Sequence, residues 1–352
     1  MRASFHAPAP PHTPSFIPAH PPFNFFLFTA SPAYNNSNAG SLHGNSAKSA
    51  GYGCLMPALI ASWRKAWSAS PGTTDPLAPF GLCSLSTDDS EGAGDIASFR
   101  WAQSGSYGVA PNPRMPNVFI AHGHDLADVW VGCGDHPQTR QCPGCDTADP
   151  DHSCLTPFYM GPGIHPRLKK PFGQRLAASA LVAAYGWPGP LTGPTLSGCS
   201  APAGALTLHF NASLLAGAPL VLRPYDAARP ELSGLTVLVN STEGVPGSGA
   251  WVALNFALGA GSDVRVDLAP LRGAAAQAVK YGWGKNGGAP DSGDVWCCAA
   301  GGGAGECAPG ACPLYAAAPT APFGGHPANP FIAQIKGGAC VCPAPQVCDA
   351  TR

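Results

Sequence analysis

Tyr52-Gly53-Cys54-Leu55-Met56-Pro57-Ala58-Leu59-Ile60-Ala61-Ser62-Trp63-Arg64 is the first stretch of the chain with an apolar period. Leu55, Ala58, Leu59, Trp63 and Trp67 recur at spacings of three and four, which predicts a helix with that stripe on a core and Arg64 and Lys65 facing water. Phe80 to Leu85 reads as a short strand, Ile96 to Gln103 as a helix, and Val118 to Ala121 as a strand behind the turn formers Pro116 and Asn117. A further helix is expected from Pro171 to Tyr185, with Arg175, Leu176, Leu181 and Val182 alternating between solvent and core. This alternation of strand and helix predicts an α/β layer.

Outward from that layer the pattern changes in both directions. Gly186 to Gly198 reads as a linker, and Leu206 to Phe210, Leu220 to Arg223, Leu235 to Asn240, Val264 to Leu268 and Ala278 to Tyr281 read as strands between Gly and Pro turns. A second, mostly antiparallel domain is expected over 195–335, followed by a Cys-containing tail at 338–352 with little core. Residues 1–50 are rich in Pro, Ser, Asn and Gly without apolar periodicity, and are expected to be disordered or incorrectly assigned.

Composition narrows the function classes. The 352 residues include 44 Gly and 40 Pro, about twice the usual share, so long uninterrupted helices are not expected. Charged residues are 11% of the chain and the formal net charge is -1, which gives no electrostatic footprint for nucleic acid or an anionic membrane. Gly, Pro or polar residues interrupt every apolar run before it reaches the length of a membrane span. The start offers only Arg2 and the short run Phe23 to Phe28, a poor match to a secretory leader.

Fourteen cysteines gather mainly at 133–154 and 297–348, which favours an oxidising compartment, either secreted or lysosomal/vacuolar. The segment Val131 to Cys154 reads as a surface insertion. Its Cys133, Cys142, Cys145 and Cys154 suit two disulfides, while Cys142-x-x-Cys145 with His136 and His152 leaves tetrahedral zinc as the alternative. Cys297, Cys298, Cys307 and Cys312 suggest bridges in the β domain with undetermined pairing. His165, in the turn Gly163-Ile164-His165-Pro166-Arg167 at a helix entrance, is placed for proton transfer to and from a hydroxyl, although a structural histidine fits the same pattern.

Several words occur in order: the Tyr52 to Arg64 stretch, Phe99-Arg100-Trp101-Ala102-Gln103, Asn112-Pro113-Arg114-Met115-Pro116-Asn117-Val118-Phe119, Asp125-Leu126-Ala127-Asp128 and Ile164-His165-Pro166-Arg167. Cys312-Pro313-Leu314-Tyr315 and Pro330-Phe331-Ile332-Ala333 follow. Together, over residues 50–335, they resemble the sialate O-acetylesterase family, and this chain resembles its C-terminal portion. The resemblance implies an incomplete SGNH-type, flavodoxin-like three-layer α/β/α domain over 51–190, followed by a smaller β-rich domain. It also implies a serine esterase that removes acetyl groups from sialic acid or a related sugar without metal or cofactor.

His165 is then the general base. Asp125 and Asp128 match family positions and are candidates to orient it or shape the pocket, with a solvated turn acid as the plainer reading. Arg100 and Gln103 are candidates for sugar contact, equally explained as buried hydrogen-bonding groups. Tyr34-Asn35-Asn36-Ser37-Asn38 stands where the family has an oxyanion word, which makes Asn38 a candidate pocket residue. The family's Gly-Gln-Ser-Asn nucleophile word occurs nowhere in the 352 residues, so this chain is expected to be inactive by itself. The alternative is a non-catalytic glycan-binding or regulatory remnant. The implied partner is an O-acetylated sugar, with the oligomeric state undetermined.

Overall fold

The computed structural model describes residues 52–85, 100–126, 169–202, 204–240, 249–283, 312–317 and 325–342. Its first part contains helix α1 (Tyr52–Trp67), strands β1 (Phe80–Cys83) and β2 (Val118–Ala121), and helix α2 (Lys169–Tyr185). β1 and β2 pair in parallel, with Phe80 opposite Val118 and Cys83 opposite Ala121. Successive side chains of a strand point to opposite faces. Phe80, Leu82, Val118 and Ile120 pack with Met56 and Ile60 of α1. Cys83, Phe119 and Ala121 instead pack with Phe172, Leu176 and Ala180 of α2. A helix therefore covers each face of the pair. Gly81 permits the close approach on the α2 side, since a Cβ there would lie 2.7 Å from the Phe119 ring.

The helix expected at Tyr52 is present, but its buried row is not the expected one. Tyr52, Met56, Ile60 and Arg64 form the buried i, i+4 row, whereas Leu55 is 50% exposed and Leu59, Trp63 and Trp67 are only partly covered. Arg64, expected in water, is buried because three main-chain carbonyls converge on it: Nε and Nη2 donate to Ala78 O at 2.9 and 2.7 Å, Nη1 to Pro116 O at 2.8 Å, and Nη2 to Asn117 O at 3.1 Å. This clamp fixes the loops leading into both strands. Arg64→Ala should lower unfolding free energy by about 2 kcal/mol, as expected for losing charged hydrogen bonds to buried carbonyls. Urea denaturation of the full chain measures it.

Of the helix expected at Ile96 to Gln103, residues 100–103 are described and are helical. The cysteine insertion at 131–154 lies outside the described residues.

The second part is a mixed set of β3 (Leu196–Ser200), β4 (Leu206–Phe210), β5 (Leu220–Leu222), β6 (Leu235–Val239), β7 (Ala250–Ala253), β8 (Phe256–Leu258), β9 (Asp263–Val266), β10 (Ala278–Tyr281), β11 (Leu314–Ala316), β12 (His326–Pro327), β13 (Phe331–Lys336) and β14 (Ala339–Val341). Nine of them form one antiparallel sheet in the order β7-β6-β10-β13-β14-β3-β4-β9-β8, and β12-β11-β5 form a smaller sheet. Leu206, Leu208 and Phe210 alternate into the same core as Leu235, Val237 and Val239, the period-two signature of a sheet buried on one side. The fold is thus mixed α/β with a large antiparallel sheet.

Two expectations change here. The linker ends three residues early, because Leu196 opens β3, and the segment after Gly338 enters the large sheet as β14. Cys340 of β14 forms a disulfide with Cys199 of β3. Cys54 and Cys312 are also disulfide-bonded. Trp101, from the helical turn at 100–103, joins the β core edge-on to Trp283 with ring centroids 5.5 Å apart. No helix among the described residues is long and apolar enough to cross a membrane.

Candidate functional site

The carboxyl ends of parallel strands are where open α/β sheets place their ligands. At that edge, Ser84 follows β1 and His122-Gly123-His124-Asp125 follows β2, all of them buried polar positions apart from the glycine. Ser84 N donates to Ala121 O at 2.9 Å, so the ladder fixes its backbone one residue past the strand. The Ser84 hydroxyl oxygen accepts from Gly123 N at 3.1 Å and lies 3.2 Å from His122 Nδ1. Gly123 is needed at this crossing, because a Cβ would be driven into the Phe172 ring.

Burial, reinforced by the positive neighbours Arg100 and Arg175, pushes His122 down to about 3, so its ring is neutral at physiological pH. Its Nδ1 faces the Ser84 hydroxyl, and its Nε2 has no hydrogen-bond partner among the described residues. His124 lies beside it with ring centroids 5.9 Å apart, and burial holds it well below the usual histidine range. His326, from β12, is pushed down to about 4 by burial and by Arg175.

Asp125 anchors the cluster. Arg175 Nη1 and Nη2 donate to its two carboxylate oxygens at 2.6 Å each, and the Tyr315 hydroxyl donates to Oδ2 at 2.5 Å. Burial alone would raise this carboxyl, but the Arg175 charge and hydrogen bonds outweigh it and hold it below the usual range. Arg175 Nη1 also donates to His122 O at 2.7 Å, tying the acid to the histidine turn. Tyr315 in turn carries the Arg223 guanidinium 3.7 Å above its ring. The β-rich part therefore reaches into the strand-end cluster through Tyr315 and His326.

The sequence candidates divide accordingly. Asp125 is not a solvated turn acid but a buried, ion-paired one. Arg100 Nε donates to Leu85 O at 2.9 Å, Gln103 Oε1 accepts from Leu85 N at 3.0 Å, and Gln103 Nε2 donates to Cys83 O at 3.3 Å, so both side chains hold the end of β1 in place. His165, Asp128 and Asn38 lie outside the described residues. Ser84, His122, His124, Arg175, Tyr315 and His326 join the site without having been singled out as site residues. The one sequence signal for them is the pair of histidines directly behind the strand Val118–Ala121. Cys83 is also nearby, but burial pushes its thiol up to about 12, which leaves it unreactive. Among the described residues no group of three or more His, Cys, Asp and Glu side chains is arranged to hold a metal ion.

No protein-family model matches the chain. The sialate O-acetylesterases of Homo sapiens and Pongo abelii are each 42% identical to it over 94 residues, which is 26% of this chain and 18% of theirs. That of Rattus norvegicus is 34% identical over 138 residues, 38% of this chain and 20% of its own. The match thus spans no more than 20% of the length of these curated relatives. A solved structure described as a novel carbohydrate acetylesterase from Xanthomonas citri matches 85% of this chain and 48% of its own at 20% identity, with a TM-score of 0.49. Over these 94 to 138 residues the chain is similar to the sialate O-acetylesterases.

Proposed function

We propose that the chain forms the proton-shuttling side of a carbohydrate O-acetylesterase site within an SGNH-type α/β/α layer, and that it binds O-acetylated sialic acid or a related acetylated sugar. The observation that carries this reading is the 42% identity to sialate O-acetylesterases over 94 residues. In the full reaction a serine oxygen attacks the acetyl carbonyl while a histidine accepts its proton. The acetyl-enzyme C–O bond forms as the sugar oxygen leaves with that proton, and water then releases acetate. His165 is assigned the base. In the tautomer whose Nδ1 accepts from Ser84, the unpartnered Nε2 of His122 supplies a neutral donor for an acetyl carbonyl at the strand ends, where Asp125 and Arg175 hold the turn. Disulfides at Cys54, Cys199, Cys312 and Cys340 support an oxidising compartment for this chemistry.

The nucleophile word is absent from the 352 residues, so this site by itself binds the ester without turning it over. Acetate release from an O-acetylated sialoside tests this, using the full chain with Ser200→Ala so that a separate serine described below does not contribute. Release at the rate of the uncatalysed reaction is expected. Turnover that His165→Ala abolishes would show that a nucleophile is present after all.

A further inference from the structure

Three adjacent strands of the large sheet carry a hydrogen-bonded Ser–His–Asp chain remote in sequence from the ordered family words. In β3, β4 and β9 the pairing sets Gly198 opposite His209 and His209 opposite Asp263. In the next row it sets Ser200 opposite Thr207 and Thr207 opposite Arg265. Leu208, Val264 and Cys199 point into the core, so these two rows share the outward face. His209 Nδ1 lies 2.8 Å from Asp263 Oδ1, and His209 Nε2 lies 2.7 Å from Ser200 Oγ. A carboxylate can only accept, so Nδ1 donates to Asp263, and the neutral ring then presents the Nε2 lone pair to the Ser200 hydroxyl. The imidazole and carboxylate side chains remain 37% and 33% exposed, and Ser200 is exposed. Beside the ring, a Cβ built on Gly198 would meet nothing within 4 Å, which leaves open space next to the imidazole.

We propose that Ser200, His209 and Asp263 form a second acyl-transfer site, on the β-sheet face, that takes short-chain carboxylic esters whose carbonyl sits over Gly198. Ser200 Oγ bonds to the carbonyl carbon as its proton passes to His209 Nε2. The acyl–oxygen bond to the alcohol then breaks, and the alcohol leaves with that proton. Water adds to the acyl-serine through the same imidazole, releasing the carboxylic acid and restoring the Ser200 hydroxyl. Asp263 is a positioning residue that fixes the tautomer. Sheet backbone holds all three groups, so the arrangement is in place before a substrate arrives.

The test is covalent labelling of the full chain with an alkyl fluorophosphonate, in which Ser200 Oγ forms the P–O bond as fluoride leaves, followed by peptide mapping. The expected adduct is on Ser200. It is lost in Ser200→Ala, slowed by about 100-fold or more in His209→Ala, which removes the general base, and slowed by a smaller factor in Asp263→Asn. Far-ultraviolet circular dichroism confirms that these surface variants keep the sheet. An adduct confined to other residues, no adduct at all, or labelling of Ser200 at the same rate in His209→Ala overturns the proposal. Each of these outcomes is independent of the sugar-esterase reading, which involves His165.

Discussion

Asp125→Ala should destabilise the chain by about 3–5 kcal/mol, the usual cost of removing one member of a buried ion pair. The loss does not measure the attraction between the partners. It arises because Arg175, only 5% exposed, would keep its charge without the two 2.6 Å bonds that compensate its burial, and because the Tyr315 hydroxyl would lose its acceptor. The double replacement Asp125→Ala with Arg175→Met should recover part of that loss, since a buried pair can be exchanged for apolar side chains at little net cost. Urea unfolding of the full chain separates the cases. A single-variant loss below about 1 kcal/mol would mean that the pair is open to water and does not organise the strand ends.

Mild acid should be the second large perturbation. His122 is pushed down to about 3 and His326 to about 4, with His124 also well below its ordinary value, all primarily by burial. In the unfolded chain each ring titrates near about 6.5. Between about pH 6.5 and the folded values the unfolded state binds more protons, so stability rises with pH across that window and falls as the solution is acidified. Each histidine contributes a slope of up to about 1.4 kcal/mol per pH unit there. Asp125 adds its loss further down: its stabilisation is complete above the unfolded carboxylate range and disappears as pH falls through its lowered folded value. His122→Gln should flatten the profile between pH 6.5 and 4. An unchanged slope in that variant would mean that the ring is solvated.

Which features were legible in the sequence follows from the range of the interactions that fix them. Strand alternation at Leu206, Leu208 and Phe210 is local, and β4 forms where it was expected. The α1 stripe was misphased by one face. Apolar residues stand on several sides of Tyr52–Trp67, and only the carbonyls of Ala78, Pro116 and Asn117 decide that Arg64 turns inward. Arg175 reads as an ordinary helix position until Asp125, fifty residues earlier, is set beside it. Asp125 belonged to a family word, but its burial depends on α2 and on Tyr315, 190 residues away. Ser200, His209 and Asp263 were beyond reach for the same reason, since their contact exists only in the register of three antiparallel strands.

The most direct measurement of the central claim is a calorimetric titration of the full chain with an O-acetylated sialoside and, in parallel, with its de-O-acetylated counterpart. A site built around the acetyl carbonyl predicts saturable binding of the acetylated sugar, at least about tenfold tighter than the other, the effect of about one well-placed hydrogen bond. Equal affinities, or no binding of either sugar, would contradict it.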